Sequence, residues 1–183
     1  QDVAAEATYL AEGADNKVNK YSYLWPYSGT LSMMSALYEA TKDDEILKVI
    51  DEQVIPGLKM YHDTTRTPYG YSSYITVDKS DRFYDDNIWL VIDLVDLYTL
   101  TAKQQYLDMA LDIWQFVLSG RDTVLGDGIY WCEQNKNTKN TCSNAPAAVA
   151  ALKLHKATGE QQYFDQGENL YTWVYYSLRD RDE

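Results

Sequence analysis

Apolar and polar positions along the chain alternate between two kinds of helical pattern. The first kind is apolar on nearly every side, as in IWLVIDLVDLYTL, and indicates a buried helix. It occurs at residues 28–40, 88–100 and 145–154. The second kind has apolar residues at helical spacing on one face and Asp, Glu, Gln or Lys on the other, which indicates a half-exposed helix. It occurs at residues 44–59, 103–118 and 162–178. No strand pattern competes, so the sequence predicts an all-α protein.

A repeated motif joins each buried helix to the half-exposed helix that follows it. The motif reads LYEATKDDEIL, LYTLTAKQQYL and LHKATGEQQYF, and its shared residues are Thr41, Thr101 and Thr158. The threonines are 60 and 57 residues apart, a spacing typical of a repeated supersecondary unit. Buried and half-exposed helices that alternate in this way predict an inner and an outer ring, the architecture of an α/α toroid. Three such hairpins account for the whole chain.

The connections between the predicted helices differ in length. Those at the threonines are a few residues long, whereas those that enter the buried helices are long and rich in aromatic residues, Asn, Gly and Ser. The long connections cover residues 18–27, 60–84 and 120–143. In an alternating array they all fall at one end, and long loops on a rigid scaffold are where binding sites are usually built. This end is the candidate binding face.

Composition and charge narrow the classes of partner. The chain has 17 Tyr and 5 Trp against 3 Phe, and aromatic rings with polar edges suit either carbohydrate ligands or buried helices with wet ends. Amino-acid composition alone favours buried helices with wet ends. A net charge of −12 argues against binding to nucleic acid or to anionic membranes. No apolar run approaches the roughly 20 residues of a membrane span.

The cysteines and histidines do not indicate a metal site. Cys132 and Cys142 lie ten residues apart in one loop, where either a disulfide or two free thiols is compatible with the sequence. His62 and His155 are isolated, and no second Cys pair could complete a zinc shell. We therefore expect no metal and no cofactor.

The strongest chemical signal is the adjacent pair Asp85 and Asp86 in FYDDNIW. One aspartate at a helix start is explained by capping and by the helix dipole. Two neighbours between aromatic residues also suit retaining glycoside hydrolysis, which needs two carboxyls about 5–5.5 Å apart, one as nucleophile and one as acid and base. Mutual repulsion would raise the pKa of one of them and keep it protonated.

Two rival chemistries have weaker support. The DDxxD motif that binds magnesium diphosphate would need a third Asp, which is absent here, and the loops lack basic residues for the diphosphate. A Ser-His-Asp site is unsupported because neither histidine lies in a recognisable motif. Asp93 and Asp96, within the buried helix, are interpreted as core polar groups.

The loop face also offers candidate substrate-binding residues. Flat aromatic side chains stack on sugar rings, and amides and carboxylates bind hydroxyls. Each of these residues is more often structural, and the favoured role for Asn144 is that of an N-cap. The candidates are Trp25, Tyr71, Tyr84, Trp131, Glu133, Asn140 and Asn144.

Three segments together resemble glycoside hydrolase family 76, the endo-α-1,6-mannanases. They read WPYSGTLSMMSALYEAT, FYDDNIWLVIDLVDLYTLT and GDGIYWCEQNKNTKNTCSNAPAAVAALKLHKATG. The resemblance implies an (α/α)6 toroid and endo-cleavage of α-1,6-mannan with retention of configuration. It implies Asp85 as nucleophile and Asp86 as acid/base, with no metal. It also implies a secreted, periplasmic or cell-surface location.

The resemblance carries two further expectations. Some fungal relatives act as wall transglycosidases, and a non-catalytic mannan-binding protein is an alternative on the same scaffold. The family domain is about twice as long as this chain of 183 residues, so residues 1–183 are expected to form the N-terminal half of one toroid. The start at Gln1, without Met, is interpreted as that of a processed or trimmed chain.

Overall fold

The computed structural model describes residues 20–76 and 79–180, and the described part is an array of three helical hairpins. The inner helices are α1 (Leu24–Thr41), α4 (Tyr84–Thr101) and α6 (Thr141–Thr158). The first outer helix consists of α2 (Asp44–Val49), a π-helical segment (Ile50–Val54) and α3 (Ile55–Lys59). The others are α5 (Gln104–Leu118) and α7 (Gln161–Ser177). The predicted alternation is confirmed. Residues 18 and 19 of the first predicted connection lie outside the described residues.

Each inner helix ends at its repeat threonine in the same way. The Thr101 hydroxyl donates to the Leu97 carbonyl at 2.6 Å and accepts the Lys103 N–H at 3.2 Å. Thr41 and Thr158 make the equivalent pairs of bonds. The residue after each threonine is left-handed: Lys42, Ala102 and Gly159 have φ of 53°, 55° and 76°. Its N–H bonds a carbonyl four residues earlier, which closes the helix and reverses the chain.

The inner helices begin four residues before the predicted starts. The prediction placed the starts where the apolar pattern begins, at residues 28, 88 and 145. The first turns read LWPY, YDDN and TCSN, which do not continue the apolar pattern, so periodicity alone does not locate these helix starts. As a result Trp25, Asp85 and Asp86 lie in helical first turns and not in loops.

Helix α4 lies at the centre of the described core. It packs against α1 on one side, α6 on the other and α5 behind. Leu90, Val91 and Leu94 are completely buried, as an inner helix that is apolar on all sides requires. Ala147 and Ala151 of α6 are also fully buried, and their small side chains suit a close approach of neighbouring helices.

The long connections gather at one end of the array, as predicted. The connection from residue 60 to 83 contains a short antiparallel ladder that was not predicted, β1 (His62–Asp63) with β2 (Gly70–Tyr71). It meets the connection from 119 to 140 through a bridge between Phe83 and Cys132. The α4 start is tied to the same connection, because Tyr84 N–H donates to the Trp131 carbonyl at 2.9 Å.

Both cysteines are free in the structure. Cys132 is buried and Cys142 is exposed, so the disulfide alternative is not adopted. Within residues 20–76 and 79–180, none of the helices combines the length and apolar character that crossing a membrane needs. The same part of the chain holds no cluster of three or more His, Cys, Asp or Glu suited to a metal ion.

Candidate active site

The two aspartates occupy the first turn of α4. Phe83 precedes them in an extended conformation, with φ −97° and ψ 133°, and the helix begins at Tyr84. The Asp86 N–H donates to Asp85 Oδ1 at 3.1 Å. The helix dipole favours negative charge at this end, which partly offsets the repulsion between the two carboxylates.

Asp86 is the more perturbed carboxyl. Its side chain is nearly buried, at 9% exposure, and no hydrogen bond to its carboxylate is formed by the described part of the chain. Burial and the neighbouring charge of Asp85 raise the pKa of Asp86 to about 7. Asp86 is therefore substantially protonated at neutral pH.

Asp85, unlike Asp86, has hydrogen-bond donors around its carboxyl group. Burial raises the pKa of Asp85 above its ordinary value, and four donors partly oppose that rise: the Trp131 indole, the Asp86 N–H, the Cys142 thiol and the N–H of Asp85 itself. The Trp131 Nε1 lies 3.0 Å from Asp85 Oδ2. The adjacent carboxyls thus differ in environment, one with donors and one without, and this difference separates an acid from a carboxylate.

We expect Asp86 to make folding stability depend on pH. Because its pKa is raised in the folded state, its protonated form stabilises the protein at low pH, and that contribution is lost as pH rises from about 4 through about 7. Asp86→Asn removes the titration. We compare the unfolding free energy of the variant with that of the wild type at pH 5 and at pH 8. The difference between the two proteins should shift in favour of the variant by about 2–3 kcal/mol between these pH values. Urea denaturation of both proteins at both pH values measures this shift. The same stability difference between variant and wild type at pH 5 and at pH 8 would contradict the prediction.

The aspartates lie at the base of a cleft of about 400 Å³. Its lining consists of Tyr23, Trp25, Pro26, Ser73, Phe83, Asp85, Asp86 and Trp131. Trp25 is 66% exposed and Trp131 is 42% exposed, so both present ring surface to a ligand. Trp131 leans on Phe83, with ring centroids 4.8 Å apart. A second hollow of about 270 Å³, also lined by Trp25, extends to Trp89.

The sequence predictions for Tyr84 and Asn144 need correction, because neither side chain has exposed surface. Tyr84 stacks on Phe116 in the core, with centroids 4.8 Å apart. Asn144 Oδ1 accepts the Ile129 N–H at 2.6 Å, and its Nδ2 donates to the carbonyls of Ile129 and Asn140, each at 2.9 Å. Asn144 therefore ties the long connection to α6 instead of contacting a ligand.

Glu133 also lies outside the cleft, where it pairs with a buried arginine. Arg82 has no exposed side-chain surface, and its Nε and Nη2 each bond one oxygen of Glu133, the Nε at 2.8 Å. Burial alone would raise the pKa of Glu133, but the hydrogen bonds and charge of Arg82 outweigh it and lower that pKa. Glu133 is thus an ion-pair partner and not a sugar-binding group of the cleft.

Asn140 and Tyr71 are likewise placed elsewhere. Asn140 is the N-cap residue of α6, and its carbonyl accepts the Asn144 N–H at 3.2 Å. Tyr71 lies on the far side of the connection from 60 to 83, stacked on His62 with centroids 4.9 Å apart. Its main chain is fixed by the Asn87 side chain, which makes hydrogen bonds of 2.8 and 3.0 Å to it.

Several cleft residues were missed by the sequence prediction. Tyr23 and Phe83 each immediately precede an inner helix, so their N-cap position was the signal that could have found them. Arg82, outside the cleft, was also missed and had no such signal, since its partner Glu133 is 51 residues away. Of the predicted site residues, the structure brings together Trp25, Asp85, Asp86 and Trp131.

Known proteins of similar structure share this arrangement of helices. The mannosidase Bt3792 from Bacteroides thetaiotaomicron VPI-5482 is 31% identical with a TM-score of 0.84, over 94% of this chain and 47% of its own. The α-mannanase BT2949 of Bacteroides thetaiotaomicron is 29% identical with a TM-score of 0.82, over 88% of this chain and 46% of its own.

A third similar structure contains a ligand. It is an inactive variant of the α-1,6-mannanase GH76A of Salegentibacter sp. HEL1_6, with two consecutive aspartates replaced by asparagine, in complex with α-1,6-mannotriose. It is 26% identical with a TM-score of 0.76, over 98% of this chain and 51% of its own. No curated protein sequence matches the chain.

The chain spans about half the length of these solved relatives. Its three hairpins accordingly correspond to about half of their helical toroid. The family model described as glycosyl hydrolase family 76 matches residues 6–182, which is nearly the whole chain. The chain therefore belongs to glycosyl hydrolase family 76.

Proposed function

We propose that this chain carries the catalytic acids of a retaining endo-glycosidase that cleaves α-1,6 linkages in mannan. The observation that supports the proposal is the pair of adjacent carboxyls at the base of an aromatic cleft, one with hydrogen-bond donors and one without. The Salegentibacter α-1,6-mannanase is called inactive when two consecutive aspartates are replaced, and its variant binds α-1,6-mannotriose. Asp85 and Asp86 are the equivalent kind of pair in this chain.

The two steps of a retaining reaction suit the two environments. In the first, Asp86 gives its proton to the glycosidic oxygen while an Asp85 carboxylate oxygen forms a bond to the anomeric carbon, and the leaving sugar departs as an alcohol. In the second, the Asp86 carboxylate takes a proton from water, and the water oxygen displaces Asp85 from the anomeric carbon. A pKa of about 7 equips Asp86 to act as acid first and base second.

Aromatic side chains supply the sugar-binding surface. Trp25 and Trp131 expose their rings at the cleft, and Phe83 supports Trp131 from beneath. The Trp131 indole N–H, already bonded to Asp85, also fixes the orientation of the nucleophile. A polymeric mannan would be met at the cell surface, in the periplasm or outside the cell, which is where we expect the enzyme to act.

The experiment that tests this function follows the products of α-1,6-mannan by proton NMR. With the intact protein we expect internal cleavage and a first-formed product with the α-anomeric proton, because two inversions retain configuration. A first-formed β-anomer would contradict retention. Binding of the polymer without any new reducing end would contradict hydrolysis and favour a mannan-binding protein.

A further inference from the structure

A second pocket lies on the outer side of the array, between the connection from 60 to 83 and α5. Its volume is about 180 Å³. We call it the tyrosine pocket; its lining consists of Lys59, His62, Tyr69, Tyr71, Met109, Asp112 and Ile113. None of these residues lines the aspartate cleft. The first two hairpins and the connection between them build the pocket.

Tyr71 is a buried residue of the tyrosine pocket, at only 3% exposure, as is Ile113 at 2%. Its hydroxyl makes no hydrogen bond to any residue that the structure describes. Within the described residues, the fully enclosed side-chain polar atom without a hydrogen-bond partner is Tyr84 Oη. The Tyr71 hydroxyl also lacks a partner but is not such an atom, so it has surface that solvent can reach. The Tyr71 hydroxyl therefore reaches the pocket surface and is available to a ligand there.

The walls of the pocket are aromatic. His62 stacks on Tyr71 at an interplanar angle of 25°, and Tyr69 meets His62 edge-on with centroids 6.1 Å apart. Tyr69 is 51% exposed and so presents its ring outward. Burial lowers the pKa of His62, which keeps the imidazole neutral near pH 7 and able both to donate and to accept a hydrogen bond.

The polar groups at the rim select the class of ligand. Lys59 and Asp112 both line the pocket, and neither side chain forms a hydrogen bond or ion pair with another described residue. One positive and one negative group give no net charge, so the pocket favours neither an anion nor a cation. Apolar ring faces surrounded by donors and acceptors match a pyranose, which has C–H faces and a rim of hydroxyls.

We propose that the tyrosine pocket binds one pyranose unit of a polysaccharide, as a second carbohydrate site separate from the aspartate cleft. Its volume is below the roughly 300 Å³ at which drug-sized ligand pockets begin, which suits one sugar ring. That the polysaccharide is mannan rests on the proposed function. Two sites on one chain would hold a long polymer at high effective concentration, whereas a short oligosaccharide could occupy only one.

The test separates polymer binding from catalysis. In the intact protein, the double variant Tyr69→Ala, Asp112→Asn removes the exposed ring and the rim carboxylate; both positions are exposed, so folding should be retained. Affinity electrophoresis in α-mannan should show about 5–10-fold weaker binding of the double variant, the value of one lost aromatic contact. Hydrolysis of α-1,6-mannotetraose should change by less than about twofold. Tyr176→Ala, at a tyrosine that is 80% exposed on α7, is the matched control and should bind like the wild type.

The outcomes for the two proposals are distinct. Unchanged retention of the double variant in mannan would overturn the second site, while leaving hydrolysis by the wild type intact. An equal loss on mannotetraose and on polymer would also overturn it, because the variant would then act through the cleft. Retention that depends on Tyr69, in a protein that releases no reducing ends, would uphold the second site and overturn the proposed hydrolysis.

Discussion

Replacing either Asp85 or Asp86 by asparagine should lower the hydrolysis of α-1,6-mannan by at least about 10²–10⁴-fold, the usual contribution of a positioned acid, base or nucleophile. Asparagine keeps the shape of each side chain while it removes the charge of Asp85 and the proton of Asp86. The initial rate of reducing-end release measures the loss. For Asp86→Asn the loss is not due to unfolding, since that variant is expected to be the more stable protein at neutral pH.

The two variants should differ in a way that identifies the roles. With an aryl mannoside whose leaving group needs no proton, Asp86→Asn should still form the glycosyl-enzyme and then stall, so that added azide accelerates turnover. Asp85→Asn should form no glycosyl-enzyme and should gain nothing from azide by this route. The opposite pattern would exchange the assignments, and full activity of both variants would contradict the proposed site.

Asp93→Asn is the matched control for this experiment. Asp93 is also a buried carboxyl of α4, and burial raises its pKa to about 6, against the hydrogen bond that it accepts from Ser32 at 2.6 Å. It does not line the cleft, so its replacement should leave the rate within about threefold of the wild type. If Asp93→Asn were as inactive as Asp86→Asn, loss of any buried carboxyl in α4 would explain the result equally well.

The hairpin array could be predicted because its signals are local. Each repeat threonine bonds to its own helix and to the residue two positions later, so the motif specifies the helix end wherever it occurs. The helix starts were placed too late because they are determined by the connections that meet there. Leu24 N–H, for example, bonds the Ser73 carbonyl at 2.8 Å, a contact that periodicity cannot reveal.

The centre of the site was predictable for a similar reason. Asp85, Asp86 and Trp25 lie at the starts of inner helices, and alternation brings those starts to one end. Tyr84 was wrong because consecutive residues of a helix point about 100° apart, so the neighbour of a cleft residue can face the core. Its ring packs on Phe116 of α5 while the aspartates face the cleft.

The roles of Glu133 and Tyr71 depend on contacts between distant segments. Glu133 meets Arg82 across 51 residues, and one sequence gives no indication of such a pair. Tyr71 was grouped with the cleft because its connection leads to α4. The unpredicted ladder of β1 and β2 turns its ring towards His62 on the outer side. An aromatic residue of this connection can thus face either the aspartate cleft or the outer side of the array. The strand pairing within the connection determines which side it faces.

Breaking the Arg82–Glu133 ion pair should cause the largest loss of folding stability among the replacements proposed. Glu133→Ala leaves a fully buried guanidinium with the carbonyls of Pro68 at 3.0 Å and Arg66 at 3.4 Å and with the Asp63 carboxylate at 3.9 Å, but without its bidentate carboxylate. Removing one partner of a buried ion pair destabilises a protein by about 3–5 kcal/mol. Urea denaturation near pH 7 measures the loss. The control is Asp127→Ala, which breaks a pair with Arg121 at a carboxylate that is 60% exposed and should lower stability by about 1 kcal/mol or less.

A double replacement tests whether the loss comes from the buried charge that Glu133→Ala leaves without its bidentate partner. Arg82→Met together with Glu133→Leu removes both charges and keeps apolar volume beside Phe116, over whose ring the guanidinium now lies at 4.6 Å. Buried pairs replaced in this way often regain their stability, so the double variant should recover most of what Glu133→Ala loses. Segment 82–84 also pairs with 131–133 through main-chain bonds of 3.0 and 2.9 Å, and these should persist. If Glu133→Ala lost no more than Asp127→Ala, the main-chain ladder alone would hold Trp131 against Asp85, and the ion pair would add nothing to it.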